Sequence, residues 1–408
     1  MTQTITGNGE SAPIKGSEFN FYVDTLTSNA GTESGSFLPR KFIGLSVGSE
    51  STVNVQATGA VQINSTSNGS LYAAEKSTAK INAGSITLSA NSANTSFATV
   101  VTATSDGNVE LQSDSDITIQ NHYQRGGTAI TVNAAGHVSM MAKNTISVLG
   151  SDSQAALKLN QTTAGTFDSP NGAITLTANN IDLHGYVESS VLDQKDTNGI
   201  FLNATESLSI AGNHSYGAIY ATKNSTLGFK AGTLKIENLN TESRSSAVRL
   251  EENSRLQTTL GAGLSTIKGV NGIYTYNGNP QLTILGNAEG TSSLKVQGTW
   301  NGIVGIGGAI TTNDVSLDFD VTREGDLPDR WGINSGQGLV GVLAAGTSKV
   351  QFSNQASAGK TLNVTIDAKT NSVKSSGLNA DMGGELTVSQ FENVVIDVSN
   401  TGVDSSVY

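Results

Sequence analysis

Pairs of apolar residues two positions apart recur along nearly the whole chain, three pairs to a repeat. Two clear repeats consist of Ile130/Val132, Val138/Met140 and Ile146/Val148, and of Ile219/Ala221, Leu227/Phe229 and Leu234/Ile236. A spacing of two places both side chains of a pair on one face of a β-strand. Gly, Asn, Ser and Asp between the pairs supply turns. Each repeat therefore predicts three short strands.

The repeats follow one another at intervals of 25 to 30 residues, which predicts a solenoid. Their first pairs begin at Leu71, Val100, Ile130 and Leu157, and again at Ile219, Val248, Ile273 and Ile303. A unit of this size cannot bury its apolar face alone, so neighbouring units must stack. Leucine-rich repeats are excluded because their ladder of Leu and Asn with a helical element is missing. We predict an all-β chain, a right-handed parallel β-helix with three-strand rungs and about 11–12 turns.

The rhythm breaks at the N-terminal end of the chain. Residues 1–50 contain Phe19, Phe21, Phe37 and Phe42 among other aromatic residues, a density far above that of the rest of the sequence. Because an open β-helix end exposes a sheet edge and an apolar core, we predict that residues 1–50 form a cap. Residues 51–408 are then the β-helix.

Two internal segments also interrupt the repeat. Residues 185–198 lengthen the interval from Leu157 to Ile200, and residues 322–330 are the densest charge cluster in the chain. Insertions in a solenoid leave the core as loops, which commonly carry binding sites. We therefore predict loop insertions at both places.

Composition excludes several kinds of partner and site. The net charge is −11 with only 23 Lys and Arg, so we expect no nucleic-acid partner. The absence of cysteine excludes disulfides and thiolate metal sites. No stretch has the apolar length of a membrane span, and we expect no membrane insertion by this segment. No phosphate-binding loop, zinc motif or nucleophile elbow occurs, so we expect no cofactor, no metal and no hydrolase of the serine type.

One strand carries the best candidate chemistry. Alternation from Val315 places Leu317 and Phe319 inward, and hence Asp318 and Asp320 outward. Two carboxylates on one face can act as acid and base or bind a cation, as in β-helix polysaccharide lyases and glycosidases. They can also simply keep a rung soluble, and we favour that interpretation because no Lys or Arg lies within the predicted strand, residues 315–320. The candidate binding residues are Asp314, Asp318, Asp320, Glu324, Asp326, Asp329 and Arg330.

The exterior must be mainly uncharged, since only 14% of the residues are charged. Asn and Thr that repeat from rung to rung can form hydrogen-bonded ladders, and Asn179, Asn180, Asn253, Asn277 and Asn279 fall at predicted turns. A long polar flank is also suited to docking an identical chain through many weak contacts.

The cysteine-free, Gly-, Ser-, Thr- and Asn-rich rungs with paired apolar residues resemble the secreted passenger domains of bacterial autotransporters, particularly the self-associating and host-binding adhesins. The resemblance covers roughly residues 51–408 and lies in architecture and composition. The protease passengers' Gly-Asp-Ser-Gly-Ser motif is absent. The resemblance implies export across the outer membrane and display at the bacterial cell surface.

Two functions follow as hypotheses. The first is a non-catalytic surface adhesin that promotes aggregation, biofilm formation or host attachment, with itself, a host matrix protein or a glycan as partner. The alternative is a carbohydrate-active β-helix enzyme that uses the outward carboxylates. Large exoproteins and phage tailspikes form a less favoured third group.

Overall fold

A computed structural model of the chain shows a parallel β-helix, as the sequence predicts. It describes residues 2–7, 16, 18–30, 44–48, 50–65, 69–91, 99–122, 127–150, 153–161, 173–191, 199–242, 244–324, 339–369 and 375–399. These contain 34 strands and no helix. The chain divides into two compact units, Met1–Ser207 and Leu208–Tyr408.

The strands of the first unit are short, and most have five or six residues. They are β1 (Thr2–Gly7), β2 (Glu18–Val23), β3 (Thr25–Ala30), β4 (Leu45–Val47), β5 (Thr52–Ala57), β6 (Ala60–Ser65), β7 (Leu71–Ala73), β8 (Thr78–Ala83), β9 (Ser85–Ala90), β10 (Thr99–Ala103), β11 (Asn108–Ser113), β12 (Ile117–Asn121), β13 (Thr128–Asn133), β14 (His137–Ala142), β15 (Thr145–Leu149), β16 (Ala155–Gln161), β17 (Ala173–His184), β18 (Tyr186–Val191) and β19 (Gly199–Gly212), which extends past Ser207.

The second unit contains several longer strands that serve two faces of a turn in succession. Its strands are β20 (Gly217–Lys223), β21 (Thr226–Asn238), β22 (Ser246–Glu252), β23 (Arg255–Leu260), β24 (Gly263–Gly278), β25 (Gln281–Leu285), β26 (Ser292–Gly305), β27 (Ala309–Asn313), β28 (Ser316–Glu324), β29 (Val340–Ala345), β30 (Lys349–Ser353), β31 (Thr361–Lys369), β32 (Ser376–Asp381), β33 (Glu385–Val388) and β34 (Asn393–Ser399).

Each turn has three faces, and each face pairs in parallel with the same face of the next turn. In the first unit β13, β14 and β15 form the first, second and third faces of one turn. They pair with β10, β11 and β12 of the preceding turn. In the second unit the first-face register runs Ile219, Val248, Ile273 and Ile303, as predicted.

The apolar pairs form the interior. All twelve residues of the two repeats that define the pattern are buried, and the least buried of them, Phe229, exposes 3% of its surface. Because paired inward residues stack on their counterparts one turn away, the cores of both units are continuous columns of aliphatic side chains.

The turn count is lower than predicted. The described strands complete about ten turns rather than 11–12. Two turns of the second unit are longer than the repeat, since Ile303 pairs with Val342 and Val342 pairs with Leu378. The inward register of the described strands is kept across both turns.

The first-face position of one turn is shifted by a residue from its predicted place. Val101, not Val100, lies in register with Leu71 and Ile130. Both valines are completely buried. Two consecutive buried residues, which also occur at Ala129 and Ile130, mark the start of the first face. The sequence alone therefore does not show which of the two begins the inward alternation.

The prediction of a loop at residues 185–198 is wrong for residues 186–191, which form strand β18. Val187 lies in register with Leu157 and restores the repeat. The second inward residue of β18 is Ser189, which is buried. Because this residue is polar, the sequence shows no apolar pair at this turn. Ile200 belongs to β19, which pairs with β17, the strand that forms the second and third faces of its turn, so Ile200 does not begin a turn. Residues 192–198 lie outside the described part of the chain.

Stacked strands already occur N-terminal to residue 51. β2 and β3 pair in register with β5 and β6. The capping role of residues 1–50 stays a prediction, and Phe37 and Phe42 lie outside the described residues.

Asparagine side chains link successive turns at the corners. Asn301 donates from Nδ2 to Oδ1 of Asn271 at 2.7 Å, and Asn271 donates to the carbonyl oxygen of Ser245 at 2.9 Å. The next residue in this register is Val340, so the ladder ends there, and Oδ1 of Asn301 is buried without a hydrogen-bond partner among the described residues. Among the asparagines predicted at turns, Asn180 donates to Glu206, and Asn253 donates to Asn224.

The alternation in β21 can be tested at two adjacent residues. Phe229→Asp should lower the free energy of unfolding by at least about 3 kcal/mol, because it removes a buried ring and buries an unpaired charge. Lys230→Asp changes an exposed residue and should cost within about 0.5 kcal/mol. Thermal melts of both variants provide the measurement. Equal losses would refute the register.

Candidate functional site

The predicted acidic strand lies in β28, and its alternation is confirmed. Leu317 and Phe319 are buried, and the Phe319 ring stacks on Phe352 with 5.5 Å between centroids. Asp318 and Asp320 consequently lie on the outer face, where both are partly exposed. Packing of the buried Phe319 ring therefore holds in place the strand that carries the two carboxylates.

A lysine from the preceding turn pairs with both carboxylates. Lys295 of β26 is in register with Asp318, and its Nζ lies 3.5 Å from Asp318 Oδ2 and 2.9 Å from Asp320 Oδ2. Gln297 Nε2 also donates to Asp320 at 3.3 Å. The strand itself has no cation beside these aspartates, but the fold supplies one from 25 residues upstream of Asp320.

The surroundings of Asp320 favour its charged form. Partial burial alone would raise the pKa of Asp320, but hydrogen bonds from Lys295, Gln297 and Thr322 and the charge of Lys295 together outweigh burial and hold this pKa below its ordinary value. A glycosidase acid needs the opposite shift, because it must be protonated at working pH. Asp320 is therefore suited to an ion pair and not to proton donation.

Of the other predicted binding residues, Asp314 is the one whose side chain the structure describes, and it makes contacts of its own. Asp314 occupies a corner at φ 59°, accepts a hydrogen bond from the Gln355 backbone N–H, and its carbonyl oxygen accepts one from Lys360. Glu324 is the last residue of β28. Three of the predicted residues lie outside the described chain, namely Asp326, Asp329 and Arg330.

A second surface, which the sequence analysis missed, lies on the first face of the second unit. We name it the tyrosine–arginine surface. Its members are outward aromatic residues around one arginine: Tyr216, Tyr220, Arg249, Tyr274 and Tyr276. Register places Tyr220, Arg249 and Tyr274 on three successive turns.

The rings and the guanidinium group of this surface form one stack. The rings of Tyr216 and Tyr220 stack with 5.0 Å between centroids. The Arg249 guanidinium carbon lies 5.1 Å from the Tyr216 centroid and 5.0 Å from that of Tyr274, within range for cation–π attraction. Tyr216 and Tyr276 remain 45% and 41% exposed. A partner would therefore meet two exposed rings that are held in place by the packed side chains beneath them. We call these packed side chains, Tyr220, Arg249 and Tyr274, the base of the surface.

Glu251 binds two members of the base, Arg249 and Tyr220. Arg249 Nε and Nη2 lie 2.7 and 2.5 Å from Glu251 Oε1, and the Tyr220 hydroxyl donates to Glu251 Oε2 at 3.1 Å. The side chains of Arg249 and Glu251 are only 12% and 17% exposed. Burial, together with the charge and hydrogen bond of Glu251, raises the pKa of Tyr220 to about 12, so this hydroxyl stays protonated as a donor.

The sequence did contain a signal for this surface. Each of Tyr220, Arg249 and Tyr274 directly follows the first inward apolar residue of its turn, respectively Ile219, Val248 and Ile273. The alternation of inward and outward residues alone therefore places all three on one face. Their contact with one another can be predicted only when the pairing of successive turns is known.

The described residues lack two kinds of feature. They contain no group of three or more His, Asp or Glu side chains placed to hold a metal ion. In the same residues no helix has the length and apolarity to cross a membrane. Comparisons with protein-family models, curated proteins and solved structures found no match to this chain.

The Arg249–Glu251 pair gives a stability test of the tyrosine–arginine surface. Arg249→Met should cost about 3 kcal/mol in the free energy of unfolding, because it leaves a mostly buried carboxylate unpaired. Arg249→Met with Glu251→Met should cost less than Arg249→Met alone, since no unpaired charge remains. Thermal and denaturant unfolding measure both.

The control is Lys235, which is 61% exposed and shares Glu237 with Lys268. Lys235→Met should change stability by less than about 1 kcal/mol. Additive losses in the double variant at 249 and 251 would contradict the buried pairing.

Proposed function

We propose that this chain is a non-catalytic bacterial surface adhesin that binds its partner through the β-helix exterior. The observation that carries the proposal is the tyrosine–arginine surface, with Tyr216 and Tyr276 exposed on a preorganised base. Tyr and Arg are the residues that dominate binding energy at protein interfaces. Rigid rings lose little conformational entropy on binding, which makes such a surface effective for adhesion.

The acidic strand supports binding over catalysis. Lys295 pairs with both Asp318 and Asp320, and the pKa of Asp320 is lowered. This shift does not suit Asp320 to the general-acid role of a glycosidase. The alternative of a glycosidase that uses Asp320 as its acid is accordingly less well supported.

The outer polar rows are compatible with association between copies of the chain. Their side chains bond mostly to the same row of the next turn, as Asn64 does to Asn29 and Ser89 does to Asn64. Such rows are regular and weakly charged, so two copies can meet through many small contacts. We propose self-association or attachment to a host matrix protein or glycan as the adhesive act, at the cell surface after export across the outer membrane. The resemblance to autotransporter adhesins supports the location.

The test uses bacteria that display the chain. Wild-type cells should settle or should attach to surfaces coated with matrix proteins or glycans, and clumps should survive moderate salt because ion pairs contribute little. Tyr216→Ser with Tyr276→Ser should reduce settling or attachment at least tenfold, since loss of two hot-spot rings costs more than about 1.4 kcal/mol.

Two controls accompany this variant. Tyr72→Ser changes an outward first-face tyrosine of the first unit and should leave adhesion unchanged. Asp318→Asn with Asp320→Asn should also leave adhesion within a few-fold. Cells that neither settle nor attach would refute the proposal. Cleavage of a polysaccharide by the wild type that is lost in the aspartate double variant would replace it by the enzyme hypothesis.

A further inference from the structure

A groove of about 620 Å³ crosses four turns of the first unit where the second face meets the third. We name it the amide groove. Along its length lie four outward residues in strict register: Tyr22, Gln56, Asn82 and Gln112. Asp114 lies at the corner beyond Gln112 and also lines the groove. One side chain per turn thus faces the same channel.

The three amides of the groove are unpaired, unlike the neighbouring row. Two residues earlier on the same strands, Asn54 donates to Asn20 at 2.9 Å, and Lys80 pairs with Glu110 at 3.0 Å. The side chains of Gln56, Asn82 and Gln112 form no hydrogen bond or ion pair with any residue that the structure describes. Each amide offers two donor hydrogens and one acceptor oxygen. A ligand rich in hydroxyl groups can satisfy both functions on every turn.

Close approach of the backbone keeps the groove open at the corner. A Cβ on Gly84 would lie 2.9 Å from the Thr58 carbonyl oxygen, and one on Gly59 would lie 2.9 Å from that of Asp24. Only glycine fits at such distances. No side chain therefore projects from these two corner positions beside the row of amides.

One end of the groove has an aromatic platform. The Tyr22 ring is 72% exposed and in register with Gln56. A flat, exposed ring stacks on the apolar C–H face of a sugar, while its hydroxyl stays in water. This arrangement of one ring followed by three amides is directional, with apolar contact at one end and hydrogen bonding along the rest.

The charge of the groove selects among hydroxyl-rich ligands. Its lining residues include Asp24 and Asp114 but no Lys, Arg or His, and the N-terminal amino group pairs with Asp24. The Asp114 carboxylate repels anions, so a uronate- or sulfate-bearing chain is disfavoured. An extended peptide is also disfavoured, because peptide addition to a sheet needs a free strand edge, and the strands lining the middle of the groove are paired on both sides.

We propose that the amide groove binds a linear, neutral oligosaccharide with its chain along the stacking direction, one sugar ring to a turn. Turns repeat at about 4.8 Å, the spacing of neighbouring strands. One sugar of an extended chain advances by a closely similar distance, so successive rings lie beside successive amides. The choice of an extracellular glycan as ligand rests on the proposed adhesive function. The shape and side chains of the groove support a neutral oligosaccharide independently of that function.

The purified full chain should be titrated with two neutral probe series, β1,4-linked glucose and β1,4-linked N-acetylglucosamine oligomers of two to six sugars. Binding to at least one series should strengthen up to four sugars, the number of turns in the groove, and then level off. Oligogalacturonate and heparin oligosaccharides serve as anionic probes and should bind at least tenfold more weakly.

Variants connect that binding to the groove. Gln56→Ala, Asn82→Ala and Gln112→Ala combined should weaken it at least tenfold, and Tyr22→Ala should weaken it several-fold. The matched control combines Gln62→Ala, Gln257→Ala and Gln351→Ala, three exposed amides outside the groove, and should change affinity less than twofold. Thermal melts establish that both triple variants fold.

The proposal is overturned if neither neutral series binds, if the control triple variant loses as much affinity as the groove variant, or if anionic oligosaccharides or peptides bind more tightly. Settling of cells that display the groove variant separates this inference from the adhesive function. Cells that still clump although the purified chain binds no neutral glycan would refute the groove and leave adhesion standing. Loss of clumping by the tyrosine double variant together with intact glycan binding would show the two surfaces to be independent.

Discussion

The stacking of inward side chains on their counterparts one turn away is the interaction on which the rest of the structure depends. It fixes which face of every strand is buried, and therefore which residues point outward and which of them share a row. Val109, Val138 and Ile174 illustrate one such column, completely or almost completely buried on three successive turns. Backbone hydrogen bonds between parallel strands hold the same register.

This constraint divides the outer rows into those that satisfy themselves and those that do not. Lys295 with Asp318 and Asp320 is a self-satisfied row, since charges from adjacent turns pair with each other. The tyrosine–arginine surface is satisfied at its base and exposed at its rings. The amide groove is open along its whole length. Binding is expected where polar or aromatic groups remain available, because a partner there displaces only water and breaks no bonds within the protein.

Sequence alone predicts the fold because the inward signal is local and repeats every two residues. It fails where an inward position is polar, and buried Ser189 hid a strand beside Val187. The sites were harder to predict because they form between residues one turn apart. The cation beside Asp320 comes from Lys295, and Arg249 contacts tyrosines on both adjacent turns. Such pairs are visible only once the register is known, since turn length varies from one repeat to the next.

Disulfide trapping tests that register most directly, because the chain has no cysteine of its own. Thr87 and Thr118 are outward partners on the third face of adjacent turns. Cysteines at 87 and 118 should therefore lie within bridging distance and oxidise readily. Cysteines at 87 and 120 are offset by one outward position, about 8 Å apart, and should stay reduced. Gln257 and Thr283 provide the equivalent pair in the second unit. Equal oxidation of the register and offset pairs, or preference for the offset pair, would contradict the stacking.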